Sequence, residues 1–303
     1  MSTNVCKKIR KILVLIDNIF RDFFFLNFLN PPLVVSACVH LKRGRLLRNN
    51  FGDDLNLYLL SALSKRKIIF YDYSLICKVF HKKRILAIGS ILNEWLDDNC
   101  VIWGAGSQLD CVCAPHVNPI IKAVRGPLTR EWLFKSDIKC PAVYGDPALL
   151  LPRIYNPHIA SRKSIGIIPH VLDENSEEFS KFIEYHKELN VISLKNYSSW
   201  RDVINKLCSC QLIISSSLHG LILSDAYNIP NIWVKIKHSL GGKDYFKYND
   251  YFLSVGRAET QPIDIEKLMY EDNLLKYKVN YHTISINLDK LISVCPFKIK
   301  AKI

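Results

Sequence analysis

The chain has 303 residues, 49% hydrophobic and 23% charged, with a formal net charge of +13 at pH 7. This is globular rather than disordered composition, and the length suits two domains or one large one. The basic balance points to an anionic partner: nucleic acid, an anionic membrane surface or a phosphorylated small molecule. Lysines and arginines are scattered and no basic–aromatic motif appears, so nucleic acid ranks last of the three.

Lys7, Lys8, Arg10 and Lys11 precede the apolar run Ile12–Ile16 and imitate a secretory signal. Asp17, Arg21 and Asp22 interrupt the run, no small-residue cleavage site follows, and the apolar length is short of a spanning helix. Residues 7–29 read as an amphipathic helix stopped by Pro31-Pro32. It packs against the domain, with contact to a membrane surface through its basic start and Phe20, Phe23, Phe24 and Phe25 as the alternative. The ten cysteines are spread along the chain. Cys111/Cys113 and Cys208/Cys210 are C-x-C pairs without the spacing of a zinc site, so reduced thiols and no metal are expected.

Strands alternating with helical patterns then run along the chain. The first strand is expected in Pro32–Val39, followed by a basic stretch from Lys42 to Arg48 and a helix capped by Asp53 or Asp54. Lys67–Tyr71, Ile85–Gly89 and Val101–Gly104 follow as strands, the last two ending in glycine. Gly104-Ala105-Gly106-Ser107 is a small-residue loop whose amides can approach a ligand. The dinucleotide pattern is incomplete, since Leu109 stands where its third glycine belongs, so no nicotinamide or flavin is expected. Arg125 ends a short strand before a helix that Pro127 can start, a place where open α/β sheets bind anions. A surface arginine paired with a nearby acid is the alternative. Asp146, held extended by Pro147, sits at another strand end as an acceptor or base.

Pro152 and Asn156-Pro157 read as a linker, after which the alternation restarts. Ile165–Ile168 leads to Pro169-His170, Ser176 caps a helix, Val191–Leu194 is a strand and 199–208 a helix. The apolar run Leu212–Ile214 then stops at Ser215-Ser216-Ser217-Leu218-His219-Gly220, and a helical pattern follows. A helix start of this kind leaves N–H groups for an anion, and His219 is the side chain suited to move protons near neutral pH. An ordinary N-cap beside a partly buried histidine is the competing reading. Gly241-Gly242-Lys243 and the aromatic-rich Tyr245–Phe252 form a loop and helix at the same edge, and residues after Asp264 read as terminal helices with a strand-like segment near Ile284. The expected fold is α/β with parallel sheets.

Six motifs in order make a more specific pattern: Asn50-Phe51-Gly52-Asp53-Asp54, Trp103–Ser107, Val124–Thr129, Gly145–Leu149, Ile168-Pro169-His170 and Ser217-Leu218-His219-Gly220. Together they resemble the polysaccharide pyruvyl transferase family from about Val34 to the end. The resemblance implies two Rossmann-like domains facing across a cleft, as in GT-B glycosyltransferases. With the N-terminal helix the units would be 1–31, 32–157 and 158–303. It implies transfer of a pyruvyl group from phosphoenolpyruvate to a sugar of a surface polysaccharide or its lipid-linked precursor, giving a pyruvate ketal. No other cofactor is implied. Some family members carry an arginine two residues before the motif histidine. Here that position is Ser217.

That chemistry assigns proton transfer to His219, with His170 and Asp146 assisting. Arg125, Ser216 and Ser217, with the backbone at Gly220 and Gly106, would hold the donor, and Asp53 and Asn50 the acceptor. The expected location is cytoplasmic, peripheral at the inner face of the membrane where lipid-linked acceptors are presented. Two competitors remain: a glycosyltransferase using a nucleotide sugar, and a non-catalytic carbohydrate-binding protein of polysaccharide assembly. The latter would not need Arg125, Asp146, His170 and His219 to converge.

Overall fold

The computed structural model describes residues 30–110, 116–236 and 245–302. The expected helix over 7–29, the Cys111/Cys113 pair and Gly241-Gly242-Lys243 lie outside them. Two five-stranded parallel sheets are present, with helices between successive strands except β6 and β7, which no helix separates among the described residues. In the first half these are β1 (Leu33–Val35), the hairpin β2–β3 (Leu41–Lys42, Arg45–Leu46), α1 (Phe51–Ser64), β4 (Ile68–Phe70) and α2 (Leu75–Val79). They are followed by β5 (Arg84–Leu86), α3 (Leu92–Trp95), β6 (Cys100–Trp103), β7 (Ile120–Ala123) and α4 (Pro127–Phe134). The first sheet has the order β4-β1-β5-β6-β7. The second half comprises β8 (Ser164–Ile168), α5 (Glu177–Tyr185), β9 (Asn190–Val191), α6 (Trp200–Cys208), β10 (Cys210–Ser215), α7 (Leu218–Ala226), β11 (Asn231–Lys235), α8 (Tyr245–Val255) and β12 (Ile263–Asp264). Its sheet has the order β12-β11-β10-β8-β9. The last helix is α9 (Leu288–Ser293).

The strands are shorter than the apolar runs that announce them. β1 ends at Val35, although the Ser36 N–H still donates to Ile85 O of β5 at 3.0 Å while its hydroxyl donates to Asp72 at 3.3 Å. Arg125 lies two residues beyond β7, and the run at Val143-Tyr144 contributes only an isolated bridge between Val124 and Tyr144. The segment near Ile284 forms no strand, its Ser285 N–H donating to Val255 O at 2.8 Å. The cap of α1 is Asn50, whose Oδ1 accepts the Gly52 N–H at 3.2 Å, whereas Asp53 and Asp54 occupy the first turn, where their charge suits the helix dipole.

Three sets of contacts join the halves. At the start of α1 the Phe51 N–H donates to Leu194 O at 2.9 Å, and the Tyr197 hydroxyl donates to Asp54 at 2.7 Å. Helix α8, which stacks Tyr248 on Trp233 of the second half with centroids 4.6 Å apart, reaches the first half through Asp250, which accepts from Arg125 Nε at 3.1 Å and from the Thr129 N–H at 2.8 Å. The C-terminal stretch crosses back to the first sheet: Trp103 Nε1 donates to Leu291 O at 2.9 Å, and the Lys300 N–H donates to Leu63 O at 2.8 Å. One hydrophobic cluster therefore contains residues of both halves, from Val35 and Leu55 to Leu221 and Leu291.

The seven cysteines among the described residues are all free, and five are buried. No helix among them is long and apolar enough to cross a membrane.

Leu291 is fully buried beside Gly145, although 146 residues (291 − 145) separate the two in sequence. Leu291→Ala should cost about 2–5 kcal/mol, the usual range for emptying a core leucine site. A urea midpoint unchanged from the wild type would show that the tail does not support the first sheet.

Candidate active site

The turn from β10 into α7 is held by its own serines. Ser215 Oγ lies 2.8 Å from Ile168 O and accepts the Ser217 N–H at 3.0 Å. Ser216 Oγ donates to Asp173 at 2.7 Å and accepts the His170 N–H at 2.8 Å. These bonds occupy the Ser216 hydroxyl, which was expected on a ligand. Ser217 stands at the cap position, yet its side chain makes no capping bond, so it leaves the first N–H groups of α7 uncapped by its hydroxyl. A Cβ at Gly220 would overlap Ser215 Oγ, so the glycine lets the helix sit on its strand.

His219 projects from this first turn onto the first turn of α1. A Cβ on Gly52 would overlap the imidazole, which places the ring against α1 backbone. Its Nε2 is buried and has no hydrogen-bond partner among the described residues. Burial, with the charges of Arg125 and Lys247, pushes the His219 pKa down to about 3. The ring is neutral at physiological pH. Two helix starts thus meet at one histidine, and both present positive dipole ends.

Two carboxyls at this junction are shifted the other way. Burial and neighbouring Asp54 raise Asp53 to about 7, Asp146 adding to the rise and Lys247 opposing it. Asn50 Nδ2 donates to Asp53 at 2.7 Å. Asp146, 1% exposed, is raised to about 7 by burial, against the Ala148 N–H bond at 2.9 Å and the charge of Arg125.

Arg125 is placed differently from the expectation. It is 1% exposed, and its guanidinium donates to Asp250 at 3.1 Å, to Ser90 Oγ at 2.5 Å and to Ser107 O at 2.6 Å. Asp250 also accepts the Thr129 N–H at 2.8 Å and hydroxyl at 2.6 Å. A Cβ at Gly106 would overlap the guanidinium, so that glycine makes room for the arginine rather than for a ligand. Arg125 is a buried strut between the first sheet and α8, whose charge still reaches His219 and Asp146.

Asp53, Asp146 and His219 are thus gathered around one junction with the Arg125 charge behind them. Asn50 is the α1 cap, and His170 lies to the Ser216 side, its Nδ1 accepting the Leu172 N–H at 3.3 Å. Lys247 and Asp250 were not expected. Lys247 is 8% exposed, and its charge acts on both Asp53 and His219. The signal for them is spacing: Lys247, Asp250 and Tyr251 fall at i, i+3 and i+4 on an otherwise aromatic helix. Among the described residues, no group of three or more His, Cys, Asp or Glu side chains is placed to hold a metal.

A histidine whose Nε2 is buried between two helix starts, flanked by carboxyls poised near neutrality, is an arrangement suited to acid–base chemistry. The family model for polysaccharide pyruvyl transferase matches residues 123–238, which include Arg125, Asp146, His170 and His219. Over this stretch the chain is similar to that family. Among its relatives is uncharacterized protein L143 of Acanthamoeba polyphaga mimivirus, 27% identical over 249 residues, 78% of this chain and 82% of the relative. Succinoglycan biosynthesis protein ExoV of Rhizobium meliloti (strain 1021) is 29% identical over 229 residues, 68% of this chain and 62% of that relative.

Two outcomes check the electrostatics. A carboxyl raised from 3.8 to about 7 binds a proton in the native state that the unfolded chain has released, so stability falls as pH rises through that window. The slope is about 1.4 kcal/mol per pH unit for one such group. Asp53→Asn should flatten that loss and equal or exceed the wild type in stability at pH 8, read from urea midpoints across pH. Arg125→Met strands Asp250 in the interior and should cost about 3–5 kcal/mol. A near-wild-type midpoint for that variant would contradict the strut.

Proposed function

We propose that the chain transfers the pyruvyl group of phosphoenolpyruvate to two hydroxyls of a sugar, in a surface polysaccharide or its lipid-linked precursor, forming a cyclic ketal. The observation that carries this reading is the unbonded, buried Nε2 of a neutral His219, set at the junction with Asp53 and Asp146. Similarity to the polysaccharide pyruvyl transferase family supports the pyruvyl group and the polysaccharide. Two Rossmann-like units, 32–157 and 158–303, facing across a GT-B-like cleft are the arrangement the reading uses, with the C-terminal stretch crossing back to the first unit. The location it uses is cytoplasmic, at the inner face of the membrane.

The reaction needs a proton delivered to the donor's methylene carbon, protons removed from two acceptor hydroxyls, and a cradle for carboxylate and phosphate. A carboxyl of pKa about 7 keeps its proton where an ordinary one would be ionised, so Asp146 or Asp53 is the acid. His219, neutral down to about pH 3, is the base that receives the proton of the first attacking hydroxyl as its oxygen bonds the former enol carbon. The carbon–oxygen bond to phosphate then breaks, and the phosphate leaves with the bonding electrons and takes the proton held by His219. The second hydroxyl adds at the same carbon and passes its proton to the carboxylate that gave one to the methylene carbon, which closes the ketal and resets the site. Lys247, the free amides of α7 and the Ser217 hydroxyl form the anion cradle, because the donors of Arg125 are taken up by Asp250, Ser90 and Ser107. In this reading Lys247 supplies charge where Ser217 supplies none. Asn50 and Asp53 border the acceptor, Asp53 being shared between both tasks.

Incubating the purified chain with phosphoenolpyruvate and, separately, with nucleotide sugars tests the reading. Acceptor-dependent phosphate release supports it, whereas nucleotide release would make the chain a glycosyltransferase. His219→Ala should lower turnover by about 10²–10⁴-fold, the usual contribution of general acid–base catalysis. The kcat/KM profile should fall above about pH 7, as the carboxyl acid loses its proton, with no acid limb from His219 between pH 4 and 7. A rate that rises steadily through pH 7–9 would remove the carboxyl from the acid role.

A further inference from the structure

We infer that the outer end of the first sheet carries a docking surface for anionic lipid, built by the β2–β3 hairpin together with the turn after α2. The two elements follow the C-terminal ends of β1 and β4, which are paired in parallel, so they emerge side by side. Tyr73 ties them together: its hydroxyl donates to Val39 O at 3.0 Å and accepts the Leu41 N–H at 3.3 Å. The hairpin turns through Arg43 and Gly44, with φ of 53° and 75°, and leaves Lys42, Arg43 and Arg45 exposed. The second element ends in Val79 and Phe80, 61% and 67% exposed, followed by exposed His81, Lys82 and Lys83. Leu47, 42% exposed, lies just beyond the hairpin.

Three features select the occupant. Phe80 and Val79 make an apolar tip that no element of the described chain covers. Among the described residues, none of Lys42, Arg43, Arg45, Lys82 and Lys83 pairs with an acid, so the rim is cationic and unneutralised. Arg43 and His81 also hold left-handed backbone, with φ of 53° and 45°, where glycine or asparagine would be less strained. A nucleic acid would satisfy the cations and leave Phe80, Val79 and Leu47 facing water. The headgroup region of an anionic bilayer takes both, with phosphates for the lysines and arginines and the acyl boundary for the phenylalanine. Leu47 is six residues from Asp53, at most about 20 Å along the chain, so a bilayer docked here lies beside the start of α1.

The test is co-sedimentation of the full chain with vesicles of phosphatidylcholine alone and of phosphatidylcholine mixed with phosphatidylglycerol, without donor or acceptor. Its result is therefore separable from that of the pyruvyl-transfer assay. We expect binding to the mixed vesicles only, weakening as salt is raised. At roughly fivefold per cation near such a surface, Lys82→Glu/Lys83→Glu and, independently, Arg43→Glu/Arg45→Glu should each weaken partition about 25-fold or more. Phe80→Ser should weaken it about tenfold. Equal binding to both vesicle types, no binding at all, or wild-type binding by all three variants would overturn the inference. So would a dimer that Phe80→Ser converts to monomer, since the face would then be a protein interface.

Discussion

A guanidinium and a carboxylate shut away from water set how the two halves of this protein meet. Arg125 leaves the edge of the first sheet, and Asp250 arrives on a helix that stacks its aromatic side on the second. Neither charge is stable in the interior without the other, and Asp250 gains two further bonds from Thr129 at the start of α4. The pair fixes α8, and α8 carries Lys247 to the junction and Tyr248 to Ser216 O at 2.6 Å. The position of the cation in the candidate site thus depends on an ion pair that has no need to touch a ligand.

The same junction concentrates unfavourable electrostatics. At rest His219 carries no proton at neutral pH, and Asp53 and Asp146 keep theirs to about pH 7. Two helix starts add positive potential at the same place. Such an arrangement suits a small anion of high charge. Catalytic sites are where a fold tolerates this kind of strain.

Much of the fold was legible because parallel strands buried on both faces appear as continuous apolar runs. Their ends were not, because β-branched residues such as Val39 continue past the last ladder bond. Local chemistry marked the strand–turn–helix at Ser215–Gly220, and the motif order marked its relatives. What sequence could not distinguish is the partner of a polar group. Arg125 at a strand end reads the same whether it awaits a phosphate or an aspartate, and its aspartate lies 125 residues away. For the same reason Asp53 and Asp54 both read as caps. The structure gives the capping bond to Asn50 and leaves Asp53 to the junction. Spacing on α8 could have pointed to Lys247, but the aromatic content of that helix dominates its pattern.

The cysteines offer a practical handle. Burial pushes the thiols of Cys100, Cys140 and Cys208 up to about 12, which keeps them from reacting while the fold is closed. Cys38 alone among the described cysteines is exposed, in the segment between β1 and the hairpin, close enough to Asp53 to be influenced by its charge. A fluorophore attached there would stand between the acidic junction and the basic outer edge. It could register ligand arrival on one side and lipid contact on the other, as two distinguishable changes in one spectrum.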